Sequence, residues 1–165
     1  AQPKPTPGGD MPVQPIPSGY ENPIPSLSVD GASEAIAFYT NAFGARERAR
    51  MDGPEGKIAH AELEIGGSVV MLADPFPQSS CRPPTELGGT SVTVFMYVED
   101  VDAAVERAVG AGATVTMAVD DMFWGDRWGK ITDPFGHEWE LATRKEDLTP
   151  EEMQKRGEEA MAGMA

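Results

Sequence analysis

The chain has 165 residues, 40% of them hydrophobic and 24% charged, which is enough for one soluble domain with a sizeable core. Its formal net charge of −14 argues against nucleic acid and anionic membrane as partners, because neither tolerates that field without a compensating basic patch. A single cysteine, Cys81, excludes an internal disulfide framework, and no run approaches the roughly 20 apolar residues of a membrane span.

Residues 1–22 hold six of the 15 prolines together with Gly8-Gly9 and almost no large apolar side chains. Such a segment buries too little surface to offset its ordering entropy, so a Pro-rich flexible arm is expected. Met11 reads as a natural start with residues 1–10 upstream of it, and Ala1 alternatively as a mature terminus whose leader has been removed. The first residues lack the basic-then-apolar layout of a signal peptide, and with one cysteine a cytoplasmic location is expected.

A first strand is expected over 24–29, followed by Asp30 as N-cap of a helix over 31–43 that carries Ile36, Tyr39 and Phe43 as a core stripe and ends at Gly44. Strands follow over 45–52 and 57–65, divided by Asp52-Gly53-Pro54-Glu55-Gly56, and over 68–74 after Gly66-Gly67. Residues 75–90 read as a proline-rich linker. The same order then returns: strand 91–98, helix 100–111, strands 113–119 and 126–132, the turn Asp133-Pro134-Phe135-Gly136, and strand 137–143. Residues 146–165 form a tail helix opened by Thr149-Pro150-Glu151-Glu152, a cap with proline at the first helical position and a capping-box glutamate. Met153, Ala160, Met161 and Met164 give that helix one soft apolar side.

A strand–helix–strand–strand–strand unit thus occurs twice, about 70 residues apart. The expected fold is α+β: two tandem βαβββ modules forming a cupped mixed sheet with helices outside. The boundaries are 23–145 for the domain, with module one at 23–74 and module two at 91–145.

Three stretches sharpen this reading: Ala35-Ile36-Ala37-Phe38-Tyr39-Thr40-Asn41-Ala42-Phe43-Gly44-Ala45, Tyr97-Val98-Glu99-Asp100-Val101-Asp102-Ala103, and Trp124-Gly125-Asp126-Arg127 with Asp133-Pro134-Phe135-Gly136-His137. They resemble the vicinal oxygen chelate superfamily, and within it the glyoxalase/bleomycin-resistance, PhnB-like branch, over about residues 20–155. The resemblance implies that each module curls into half of a cup with the ligand site inside. In metal-dependent members four ligands line that cup, two from each module, on its first and last strands. The repeat carries those places to Ile24 and Thr93 on the first strands and to Met71 and Glu140 on the last. Ile24 offers no donor, Thr93 rarely ligates, and Met71 is a soft thioether, so only Glu140 has the chemistry.

Of the two histidines, His137 shares a face with Trp139 and Leu141, away from the cup. His60 and Glu62 share a face that points into the cup or into solvent. A rearranged metal site of His60, Glu62 and Glu140 is one alternative; the other leaves no metal and Glu140 paired, with Arg127 as its expected partner, or facing a ligand. Phe95, Tyr97, Trp124 and Trp128 are expected to line the cup or its mouth, or to pack on the linker or tail helix; Trp139 belongs to the core behind the sheet. Cys81, beside Arg82, has no neighbouring histidine to act as base, and no phosphate-cradling loop, nucleophile elbow or dinucleotide fingerprint occurs.

The leading expectation is a protein that binds a small cationic or aromatic molecule without the usual four-ligand metal site and with no cofactor. The resemblance implies antibiotic sequestration as one such role. The alternatives are a divalent-metal-dependent lyase, isomerase or dioxygenase, and a fold kept for assembly or regulation through its arm and tail helix. Whether a reaction is catalysed stays open at this point. The resemblance also implies a homodimer, since open sheet edges of this kind are covered by a second subunit.

Overall fold

The computed structural model describes residues 13–163; Met11 and Met164 lie outside them. In chain order it runs β1 (Ser26–Ser28), α1 (Ala32–Phe43), β2 (Arg46–Asp52), a 3₁₀ turn at Pro54–Gly56, β3 (Ile58–Ile65), β4 (Ser68–Ala73), α2 (Pro84–Leu87), β5 (Thr93–Tyr97), α3 (Val101–Ala111), β6 (Thr114–Asp121), β7 (Asp126–Thr132), β8 (Glu138–Arg144) and α4 (Pro150–Ala162). The strands make two four-stranded sheets, β1-β4-β3-β2 and β5-β8-β7-β6. In each, the first strand runs parallel to the last and the other pairs are antiparallel. The duplicated sequence therefore gives a duplicated α+β topology.

Local differences from expectation have local causes. β1 is shorter than 24–29 because Pro23 and Pro25 have no N–H to give the ladder, although the Pro25 carbonyl still accepts from Met71 N–H at 2.9 Å. Asp30 does not cap α1. The N-cap is Gly31, with φ 100°, and the carboxylate that holds the helix start is Asp74 at the end of β4. Its Oδ1 accepts from Gly31 N–H (2.9 Å) and Ala32 N–H (3.1 Å), and its Oδ2 from Ile58 N–H (2.7 Å). In module two the corresponding place is held by Thr143, whose hydroxyl accepts from Val101 N–H at 2.9 Å, while Asp100 caps α3 through its side chain.

Behind both sheets lies one core. α1 buries Ala32, Ala35, Ile36, Phe38, Tyr39 and Ala42; α3 buries Val101, Ala104, Val105 and Ala108; β3, β4 and β8 add Leu63, Leu72, Trp139 and Leu141. The two helices pack on each other, and Arg107 of α3 donates to the Ala42 carbonyl at 2.8 Å. Aromatic contacts cross the module boundary: Phe43 meets Trp139 at 4.6 Å between ring centroids, and Phe38 meets Phe135 at 6.4 Å. Beneath them the Asp133 carboxylate takes the Tyr39 hydroxyl (2.6 Å), Trp139 Nε1–H (3.0 Å), and the N–H groups of Phe135 and His137. His137 Nε2 in turn meets the Ser28 carbonyl at 2.9 Å. The modules are thus joined back to back through their helix sides, and their other faces open outward.

At the tail, Thr149 and Glu152 form the expected capping box. Only Gly157 of the described α4 is buried, where an added Cβ would meet Phe123 Cε2 at 3.3 Å. Met153 and Met161 stay exposed.

Candidate functional site

Strand parity settles which side chains share the open face of module two. In the β7–β8 ladder Lys130 lies opposite Glu140 and Trp128 opposite Ala142; in the β5–β8 ladder Thr93 lies opposite Glu138 and Phe95 opposite Glu140. Trp139, Leu141 and Ile131 point the other way and are buried. The open face therefore gathers Glu138, Glu140, Trp128, Lys130, Thr93, Phe95 and Tyr97. Trp128 Nε1–H donates to Glu140 Oε2 at 3.2 Å, Lys130 pairs with Glu138, and the Thr93 hydroxyl reaches Glu138 Oε2 at 3.5 Å.

Arg127 is not the partner of Glu140. It projects from the opposite face of β7 and forms ion pairs with Asp102 of α3 (2.6 Å) and Asp121 (3.2 Å), which push its guanidinium pKa up. The partner of Glu140 is the indole of Trp128.

Asp126, at the start of β7, is buried and takes Tyr97 Oη–H at 2.9 Å and Trp124 Nε1–H at 3.1 Å. The bond to Asp126 is the main cause of a raised Tyr97 pKa. Around this carboxylate the rings run in sequence: Phe123 to Trp124 at 5.0 Å, Trp124 to Trp128 at 5.9 Å, and Phe95 to Tyr97 at 5.0 Å, each edge to face. Phe95 and Tyr97 are 46% and 59% exposed, an unusual position for two large rings on a sheet face. The face is an aromatic wall with two carboxylates, Glu140 and Asp126, held in place by indole and phenol donors. Sequence reading missed Asp126; its signal was a carboxylate within Trp124-Gly125-Asp126-Arg127, between a turn and a strand.

The open face of module one carries His60, Glu62 and Glu64 on β3 and Val69 and Met71 on β4, with Glu62 opposite Met71. His60 Nε2 lies 3.2 Å from Glu62 Oε1, which fulfils the shared-face expectation. Two further residues come from outside that expectation. Tyr20 of the arm donates its hydroxyl to Glu62 Oε2, and the Arg48 guanidinium sits 5.3 Å from the Tyr20 ring centroid. The bonds from Tyr20 and then His60 pull the Glu62 pKa down, and the bond to Glu62 pushes the Tyr20 pKa up.

A cleft of about 740 Å³ links the two modules on the arm side, lined among others by Asn22, Ile24, Arg48, Gly66, Phe95 and Tyr97. It skirts Glu140 and Trp128 rather than enclosing them. Gly66 is required there: its φ is 56°, and a Cβ would stand 3.1 Å from Met96 Sδ.

The residues at the four ligand places do not fit a divalent ion. Ile24 presents hydrocarbon, Met71 a thioether, Thr93 a hydroxyl turned to Glu138, and Glu140 a carboxylate taken up by an indole. Within one chain His60 and Glu62 stand on the first sheet and Glu140 on the second. Among the described residues no three His, Cys, Asp or Glu side chains gather into a metal-holding group, and no helix is long and apolar enough to cross a membrane.

Comparison with known proteins agrees with this architecture. Residues 24–141 match the family model "Glyoxalase/Bleomycin resistance protein/Dioxygenase superfamily". Protein Rv0887c of Mycobacterium tuberculosis is 49% identical over 133 residues, covering 79% of this chain and 78% of that one. The X-ray structure of the At5g48480 product of Arabidopsis thaliana is similar with a TM-score of 0.61 at 30% identity, covering 74% of this chain and 98% of that one. The fosfomycin resistance protein FosX of Listeria monocytogenes, solved with Mn(II) and sulfate, shares the fold with a TM-score of 0.58 at 21% identity, over 86% of this chain and 98% of that one. With its duplicated modules and this match over most of its length, the chain belongs to the glyoxalase/bleomycin resistance protein/dioxygenase superfamily.

Proposed function

We propose that this protein binds a small cationic, aromatic molecule in a cup made by two copies of the chain. The observation that carries the reading is the wall of Phe95, Tyr97, Trp124 and Trp128 around the carboxylates of Glu140 and Asp126. Ring faces attract cations and stack on planar groups, and the carboxylates supply the charge. The −14 net charge raises the local concentration of such ligands.

The back-to-back joining supports the second copy. One chain holds two half cups that face apart, so enclosure of a ligand requires module one of one copy to meet module two of another. The all-exposed β2 and the open β5 leave sheet edges and faces free for that contact. A homodimer of this kind would place Thr93, Phe95, Tyr97, Trp128 and Glu140 from one copy opposite Met71 and His60 from the other. Sequestration needs no chemical step and no metal. The divalent-metal alternative, with Glu140, His60 and Glu62 as donors, would have to be assembled across that same interface.

Isothermal titration with ethidium, a planar aromatic cation, against the anionic aromatic dye ANS tests the ligand class. Saturable binding of ethidium and little of ANS is expected. Equal affinity for both, or binding of ANS alone, overturns the cationic reading. Native mass spectrometry of the untreated protein, together with metal analysis, reads the assembly and anything that co-purifies.

A further inference from the structure

Tyr20 is the sole aromatic residue of the described arm, and the arm delivers it to one place. Its N–H closes a turn on the Pro17 carbonyl at 3.1 Å, and Gly19 within that turn has φ 87°. The Glu21 carboxylate accepts from Gly19 N–H at 2.9 and 3.1 Å. Pro15, Pro17, Pro23 and Pro25 stiffen the flanks, so the turn is presented at low entropic cost. At the tip the phenol bonds Glu62 Oε2 while His60 takes Oε1. Both oxygens of Glu62 are therefore engaged, and its side chain is only 14% exposed although it stands on an open sheet face.

We propose that the segment 17–22 is a strap over the Glu62–His60 pair, and that a cationic ligand gains the Glu62 carboxylate only by displacing the Tyr20 phenol. This rests on the reading of the open sheet faces as ligand walls. Among acidic groups on that face Glu62 is the one so covered: Glu64 is paired with Arg46 at 2.7 Å and its side chain is 40% exposed. Arg48 lies over the Tyr20 ring and is the cation already closest to hand, so the strap fixes it as well. A ring held under a guanidinium and bonded to a carboxylate is a stand-in for an aromatic ligand at the same spot. The chain fills half of its own site.

The full-length wild type, Tyr20→Phe, Tyr20→Ala and Glu62→Gln are compared by hydrogen exchange and by ethidium titration. Backbone exchange at 19–22 is expected to quicken in Tyr20→Phe and Glu62→Gln, and in wild type on saturation with ethidium; unchanged exchange in both variants overturns the strap. Ethidium is expected to bind Tyr20→Phe and Tyr20→Ala about three- to tenfold more tightly than wild type, the span of one exposed charge-assisted hydrogen bond. Unchanged or weaker binding in both variants, with circular dichroism intact, shows that Tyr20 is a fixed wall and overturns displacement. If no protein binds ethidium, the cationic-ligand reading falls, and the exchange comparison alone decides whether the strap exists.

Discussion

The Tyr39 hydroxyl of module one donates to Asp133 of module two at 2.6 Å, deep in the core and with no water needed. With the Arg107–Ala42 and His137–Ser28 contacts it is one of the polar fastenings between two modules otherwise held by apolar contact. Tyr39→Phe removes one donor and leaves the carboxylate with three, a loss of about 1.5–3 kcal/mol for a buried bond to a charged group. Asp133→Ala leaves a phenol, an indole and two backbone N–H groups without an acceptor and costs about 3–5 kcal/mol. Urea unfolding followed by tryptophan fluorescence measures both.

The same contact predicts alkaline sensitivity. Burial first, and then the Asp133 charge, raise the Tyr39 pKa well above the ordinary tyrosine value of 10. A phenol that must stay protonated in the fold but ionises freely when unfolded stabilises fully below pH 10. That contribution declines as pH climbs from 10 toward the raised value. Unfolding midpoints are expected to fall more steeply above pH 10 in wild type than in Tyr39→Phe.

On the open face of module two, Glu140→Gln and Trp128→Phe should each weaken ethidium binding about tenfold, the first by removing charge and the second by replacing the indole ring of the wall with a smaller, less cation-attracting one. Trp124 meets Trp128 edge to face and shares Asp126 with Tyr97, so Trp124→Ala should perturb the same wall. Titration calorimetry with parallel thermal melts separates loss of binding from loss of fold. Arg127→Ala serves as the contrast: its ion pairs lie on the other face, and ethidium affinity should hold.

Composite cups predict complementation. Met71→Arg blocks the module-one wall and Glu140→Gln weakens the module-two wall. Each homodimer should therefore bind poorly. Co-expressed as a mixed dimer, the two chains should recover one intact cup in two, read as half-stoichiometric binding at wild-type affinity. No recovery of a wild-type-affinity site in the mixed dimer would speak for a cup closed within one chain, because each cup would then carry one of the two substitutions.

For α4, the bonds from Thr149, backbone first and side chain second, pull the Glu152 pKa below its ordinary 4.5. Sign follows directly: the capping box is complete above pH 4.5 and is lost as pH falls through the lowered value. Thr149→Ala should remove about 1 kcal/mol of local helix stability at neutral pH. Hydrogen exchange in residues 153–163 reads both effects.

The sequence carried the architecture because its signals were local and repeated: the Gly66-Gly67 and Gly136 turns, the helix stops, the Thr149 capping box. Alternation alone was enough to send His137 and Trp139 to the back of the sheet. The pairing of Arg127 with Glu140 failed for an equally local reason. Reading the last hairpin loop as 133–136 sets one register, whereas the loop is 133–137 with Thr132 opposite Glu138. A shift of one residue turns every side chain of a strand to its other face, so Arg127 went to the back and Trp128 and Lys130 to the front. Asp74 displaced Asp30 as the holder of α1 because Gly31 took the capping position, a contact between distant segments. Tyr20 was hidden for the same cause: a proline-rich composition announces neither where an arm will lie nor which carboxylate it will meet.

Opposed half cups on a shared core, closed by a second copy as proposed, would make dilution a chemical variable. Dissociation of a pair would abolish every enclosed cavity at once, so a ligand that requires enclosure is linked by mass action to assembly, and saturating it would tighten the pair. Capacity to sequester would then rise faster than protein abundance, small while copies are scarce and steep once they meet.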